Sequence, residues 1–129
     1  EIRAWDWDRP GNIIAEIRQL NRIRRTNPAL HSHLGVSFLQ AWNDQVLFYE
    51  KATPGRENVL LIAVGLDPHH AQEADVELPL WKFGLPDHGT LEVEDLMRGQ
   101  TFTWTGKHQR IRCDPGELPF SIWRVAARG

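Results

Sequence analysis

Asn58-Val59-Leu60-Leu61-Ile62-Ala63-Val64 reads as a strand that is apolar on both faces. Successive side chains of a strand point to opposite sides of its sheet. A run with no polar alternate needs cover on both sides, so it is expected at the centre of a sheet. Outward from this run the chain keeps a period of two from Leu34 onward. Phe102 and Trp104 share one face while Thr101, Thr103 and Thr105 share the other, the half-buried alternation of a sandwich strand. Further strands are expected near Val36–Gln40, Gln45–Lys51, Asp75–Leu78, Thr90–Glu94, Gln100–Trp104, Gln109–Cys113 and Phe120–Val125. Asn43-Asp44, Thr53-Pro54-Gly55, Asp67-Pro68, Pro86-Asp87, Arg98-Gly99, Gly106-Lys107 and Asp114-Pro115-Gly116 supply the turns between them. The expected fold is mainly β: an antiparallel β-sandwich or Greek-key domain of about eight strands.

The first thirty residues differ from the rest. Asn12 is a suitable N-cap, and Ile13, Ile17 and Leu20 then recur at helical spacing with Ile14 and Ile23 beside them. One amphipathic α-helix of about four turns is expected, stopped by Asn27-Pro28. Arg18, Arg22 and Arg25 occupy its other face, where the last-turn cations suit the helix dipole. With no second basic element beside it, this is read as a solvated or docked face rather than a nucleic-acid patch. The apolar stripe needs a partner, either the chain's own sheet or a missing domain.

At 129 residues the chain has room for one ordinary domain. Its 41% hydrophobic and 25% charged residues are those of a globular protein. A net charge of −2 gives no electrostatic case for nucleic acid or an anionic membrane. The longest apolar run, Val59 to Val64, falls far short of the roughly 20 residues that span a bilayer. Cys113 alone cannot form an internal disulfide, and Glu1-Ile2-Arg3 is neither an initiator nor a signal sequence. An excised fragment of a cytoplasmic protein is expected. Six tryptophans against one tyrosine is an indole-rich composition, and indoles serve both as core pieces and as platforms for sugar rings.

No residue pattern in the chain spells a catalytic or metal site. Asp6 and Asp8 lie in a turn-prone stretch, and Glu92, Glu94 and Asp95 lie on or beside one strand, with Glu92 and Glu94 expected on its solvent side. Neither group reads as the carboxylate pair that glycoside chemistry requires. His69-His70 and the flanking pair His31 and His33 have no second ligand cluster at metal spacing, so no metal is expected. Cys113 alternates with Ile111 in apolar surroundings, which suits a buried small hydrophobe better than a nucleophile. No phosphate loop, nucleophile elbow or dinucleotide fingerprint is present, so no cofactor is expected.

Leu20-Asn21-Arg22-Ile23-Arg24-Arg25-Thr26-Asn27-Pro28-Ala29-Leu30 resembles the end of the last barrel helix in α-amylase superfamily enzymes. Val93-Glu94-Asp95-Leu96-Met97-Arg98-Gly99, Phe102-Thr103-Trp104-Thr105-Gly106 and Asp114-Pro115 with Phe120-Ser121-Ile122-Trp123-Arg124 are similar to that superfamily's C-terminal β-domain. Glu1-Ile2-Arg3, Trp5-Asp6-Trp7-Asp8-Arg9-Pro10-Gly11-Asn12, Asn58-Val59-Leu60-Leu61 and Asp67-Pro68-His69-His70 resemble, more narrowly, the α-1,4-glucan:maltose-1-phosphate maltosyltransferases.

That resemblance implies a parent that transfers maltosyl units from α-maltose 1-phosphate to α-1,4-glucan with retention, through a covalent glycosyl-enzyme. Its nucleophilic Asp and acid/base Glu belong to earlier barrel strands, before Glu1, so no catalytic residue is carried onto this chain and no substrate-binding residue is assigned. The resemblance further implies that residues 1–30 are the final loop and helix of a (β/α)8 barrel, and residues 31–129 a non-catalytic C-terminal domain. The expected partner is the parent's own catalytic barrel. Freed from it, the helix would fold onto the sheet or mediate self-association. Two other readings stand beside this one: an autonomous starch- or glycogen-binding module using Trp42 or Trp81, and the C-terminal domain of a branching or trehalose-forming relative.

Overall fold

Val-Leu-Phe-Tyr-Glu-Lys-Ala, residues 46–52, alternates in burial as its period of two requires: Val46, Phe48, Glu50 and Ala52 point inward. The same rule, repeated along the chain, builds a two-layer sandwich. The computed structural model describes residue 19 and residues 21–31, 35–118 and 120–128. The strands are β1 (Val36–Phe38), β2 (Val46–Ala52), β3 (Val59–Gly65), β4 (Gln72–Glu77), β5 (Thr90–Asp95), β6 (Gln100–Thr105), β7 (His108–Cys113) and β8 (Phe120–Ala127). One sheet has six strands in the order β1-β2-β3-β8-β5-β6, and β4 and β7 form a second, two-stranded sheet. All pairings between strands are antiparallel. The last strand inserts between β3 and β5, a Greek-key-type closure that joins β1-β2-β3 to β5-β6 in one sheet.

Every expected strand is found, with edges moved by a few residues. β4 starts earlier than Asp75 because Ala74, too small to register as an apolar alternate, is buried at 2% exposure and pairs with Ile111. The Asn58–Val64 run becomes β3, flanked by β2 and β8 and covered on both faces as expected. Val59, Leu61 and Ala63 face inward and meet Phe48, Val76, Ile111, Val93 and Trp123 in the main core. Leu60 and Ile62 face outward and form a second cluster with Ile23, Ala29 and Ile122.

β6 departs from its expected half-burial. Trp104 is half-buried and stacks edge-on against Trp123 at 5.1 Å between ring centroids, whereas Phe102 is 38% exposed. The cause is geometric: two strands cannot roof six, and β6 is the outermost strand of the wider sheet.

Turn chemistry follows the sequence closely. Asp95 ends β5 and its Oδ1 accepts from the backbone N–H of Met97 at 3.0 Å and of Arg98 at 2.9 Å. Gly99 follows at φ 74°, a left-handed conformation that glycine adopts without strain. Gly35 (φ 77°) opens β1, where a Cβ would sit 2.2 Å from the carbonyl oxygen of Ala52.

Residues 21–26 are helical and run into a 3₁₀ turn at Pro28–His31. The stretch Trp5–Asn12 and the stripe residues Ile13, Ile17 and Leu20 lie outside the described residues, as do Arg18 and His33. The described end of the helix does fold onto the sheet. Ile23 is 4% exposed against Leu60, Ile62 and Ile122. Asn27, 1% exposed, donates to the Ile23 carbonyl at 2.9 Å and accepts from Asn58 Nδ2 at 3.0 Å. Asn58 Oδ1 in turn accepts the Ala29 N–H at 3.0 Å. A buried polar latch thus joins the helix end to the first residue of the central run.

Candidate functional site: an apolar outer face and a tryptophan-lined cleft

The register of the six-stranded sheet lines up apolar residues across its outer face. Phe38 opposes Tyr49, Tyr49 opposes Ile62, and Ile62 opposes Ile122, a row across four strands. A second row runs from Leu47 through Val64 to Phe120. The helix end covers one part of this face. Between it and the sheet runs a groove of about 570 Å³ bordered by Arg24, Leu30, Tyr49, Val64 and Phe120. Burial raises the pKa of the Tyr49 phenol above its ordinary value. Beyond the groove the face is open: Phe38 is 71% exposed, Leu66 52%, Val36 41% and Leu47 37%. These side chains leave apolar surface in water on the outer side of the sheet.

A second concavity, of about 730 Å³, lies at the other side of β1 and β2. Glu50 forms its floor. It projects inward from β2 at 2% exposure, and its carboxylate receives Arg56 Nη1 at 2.8 Å, Arg56 Nη2 at 3.1 Å and Lys82 Nζ at 3.4 Å. A carboxylate this deep requires such partners. Arg56 adopts φ 59°, rare for a non-glycine residue, and its guanidinium also sits 4.8 Å from the centre of the Phe83 ring. Trp81 stands on the wall, on a 3₁₀ turn (Leu80–Phe83) whose first residue is buried at 1% exposure. Gly84 closes that turn in a left-handed conformation with its N–H on Trp81 O.

The residues singled out in the sequence fall into separate places. Trp42 and Trp81 are both exposed, at 55% and 71%; Trp42 meets the His108 ring at 5.6 Å and lies outside the Trp81 cleft. Glu92 and Glu94 stand on the outer face of β5, where Glu94 pairs with Arg124 and Glu92 with Arg128 at 3.9 Å. Asp95 faces inward at 4% exposure, held by Arg98 at 3.2 Å and by the turn it caps. Asp67 Oδ1 accepts the N–H groups of His69 and His70 at 2.9 and 3.2 Å, and Oδ2 accepts Gln72 Nε2 at 2.8 Å. The His69 amide, followed by Gln72 and His70, holds the Asp67 carboxyl below the usual carboxylate range. The Asp-Pro-His-His motif is therefore a capped turn. His31 Nε2 lies 2.7 Å from the Arg24 carbonyl oxygen. Cys113 is 2% exposed and burial pushes its thiol pKa up, the reverse of activation. Among the described residues no group of three His, Cys, Asp or Glu side chains is placed to hold a metal ion. Asp6 and Asp8 lie outside the described residues.

The Glu50 cluster and the Asn27–Asn58 latch were missed by the reading of the sequence. The signal for Glu50 was available, since the period of two in Val46, Phe48, Glu50 and Ala52 places it inward. Its cationic partners come from a loop and a turn 6 and 32 residues away, and no pattern announces them.

Comparison with known families decides what kind of domain this is. The family model described as "GLGE, C-terminal" matches residues 38–125. The chain belongs to this family. Among curated relatives, the α-1,4-glucan:maltose-1-phosphate maltosyltransferase of Pseudomonas aeruginosa is 56% identical over 125 residues, covering 97% of this chain and 19% of the relative. The enzyme of the same name from Cereibacter sphaeroides is 49% identical over 129 residues, covering all of this chain and 19% of the relative. This GLGE C-terminal chain therefore spans about a fifth of the length of these two relatives. An α-amylase from Geobacillus thermoleovorans, solved in complex with acarbose, has a similar fold at TM-score 0.62 and 13% identity, over 91% of this chain and 23% of that one. The resemblance drawn from the motifs is borne out at the level of subfamily, so the maltosyltransferase reading stands ahead of the branching and trehalose-forming ones.

Proposed function

We propose that this chain is a non-catalytic C-terminal domain that docks, through its outer apolar face, on the catalytic barrel of an α-1,4-glucan:maltose-1-phosphate maltosyltransferase. The parent would move maltosyl units from α-maltose 1-phosphate to α-1,4-glucan, extending a glycogen-like polymer in the cytoplasm. The observation that carries the reading is 56% identity along 97% of the chain to one fifth of an enzyme of that name.

Two features support the non-catalytic role. On an open sheet face the outward Glu94 pairs with Arg124, and Glu92 lies beside Arg128. The inward ones, Glu50 and Asp95, are committed to structural ion pairs. Retaining glycosyl transfer needs two carboxylates about 5–5.5 Å apart across the scissile bond, one free to attack and one free to exchange a proton. On this reading both belong to the barrel. Residues 1–30 belong there too, residues 31–129 form the β-domain, and the contacts of Ile23, Asn27 and Ala29 make the last helix the seam between them.

The experiment is a phosphate-release assay with α-maltose 1-phosphate and a maltooligosaccharide acceptor. The full-length parent should release phosphate and lengthen the acceptor; the 129-residue chain should do neither. A parent that is inert in both readouts overturns the maltosyltransferase assignment, and turnover by the isolated chain overturns the non-catalytic one.

A further inference from the structure

We infer that the cleft between Trp81 and the Glu50–Arg56–Lys82 cluster is a binding site for an α-1,4-linked glucose oligosaccharide. Trp81 shows why an occupant is expected. The Trp81 indole is 71% exposed on the cleft wall, and the turn that carries it is fixed through its backbone. Leu80 anchors the turn in the core, Leu80 N bonds Leu78 O at 2.9 Å, Lys82 N bonds Pro79 O at 3.0 Å, and Gly84 N bonds Trp81 O at 3.2 Å. With the backbone already fixed, only the indole's own rotamer is left to be ordered when a ligand arrives.

The surroundings select the chemistry. An indole presents a flat face of negative π-density, complementary to the C–H groups on one side of a pyranose ring. A sugar ring also carries hydroxyls around its rim, and the cleft places donors there. Arg56 spends its two terminal nitrogens on Glu50 and remains 28% exposed, so N–H groups are left for a ligand oxygen. Lys82 has three donors, of which Glu50 takes one, and its Nζ lies 5.4 Å from the centre of the Trp81 ring. Ser37 adds a hydroxyl from β1. A purely apolar occupant would leave these donors desolvated, which is costly. The space suits the class as well: about 730 Å³ lies within the roughly 300–1,000 Å³ of small-molecule sites. The choice of glucose and of the α-1,4 linkage rests on the maltosyltransferase reading above; the stacking and the polar rim do not.

The test is titration of the 129-residue chain with maltoheptaose, followed through the indole N–H signals in a proton–nitrogen correlation spectrum. The Trp81 signal, identified by its loss in Trp81→Ala, should shift saturably. Trp81→Ala should weaken binding about tenfold or more, while Trp42→Ala should leave it unchanged. Cellohexaose, with the other linkage, should bind more weakly. A chain that shows no saturable shift, or whose affinity survives Trp81→Ala, overturns the inference. So does dependence on Trp42 instead. The phosphate-release assay on the full-length parent reads the other proposal separately: binding at Trp81 beside an inert parent would sink the transferase assignment and leave the sugar site standing.

Discussion

Asn58 shows how much one amide side chain can settle. Its Oδ1 takes the N–H of Ala29 and its Nδ2 serves Asn27, which is itself buried and bonded to the end of the helix. Asn58→Ala would strand a buried carbonyl oxygen and a backbone N–H together, and leaving such groups unmet costs about 1–3 kcal/mol. A loss of that size in the unfolding free energy, read from urea denaturation, is expected; a change within about 0.5 kcal/mol, the range of ordinary surface substitutions, would show that the latch carries no stability. Glu50 and Asp95 repeat the lesson with charge. Both point into the sandwich, and both are tolerated because cations and turn N–H groups meet them there. Neither is spare for chemistry.

At the scale of elements, position within the sheet decides what a strand is worth. β3 is covered on both faces, so Leu61→Ala removes a side chain with no exposure and leaves a hole in the core cluster that also holds Phe48, Val76 and Trp123. A loss of about 2–5 kcal/mol is expected from the missing transfer energy and the cavity. Thr103→Ala on the outer side of edge strand β6 should stay within about 0.5 kcal/mol. Denaturation of the two variants side by side checks the contrast, and equal losses would refute the assigned topology. The turn elements were legible because their residues act locally. Asp67 and Asp95 bond N–H groups two and three residues ahead, which a sequence pattern can encode. Trp81 and Glu50 were not legible as sharing one cleft, because the 3₁₀ turn and β2 are distant along the chain.

For the whole molecule, the outer face of the six-stranded sheet sets its behaviour in solution. On the proposed reading the parent's barrel would cover Phe38, Leu47 and Leu66. Without the parent these residues remain in water, and the hydrophobic effect favours any self-contact that buries them. The isolated chain is expected to self-associate reversibly, with Phe38→Lys shifting sedimentation equilibrium toward monomer. A chain that stays monomeric at high concentration with the native Phe38 would argue against this face as a docking surface. Among the described residues no helix is long and apolar enough to cross a membrane.

The sequence by itself determined the strand inventory, the central place of Asn58–Val64, the capped turns and the family. Each of these is written in periodicity or in residues a few positions apart, and backbone geometry converts such patterns directly into local structure. Only the tertiary structure decided that β8 closes the sheet between β3 and β5, that the helix end is latched to the sandwich, and that Trp81 shares a cleft with Glu50, Arg56 and Lys82. Those contacts join residues distant along the chain, and their partners are selected by packing and by the need to satisfy buried polar groups, which no local pattern records.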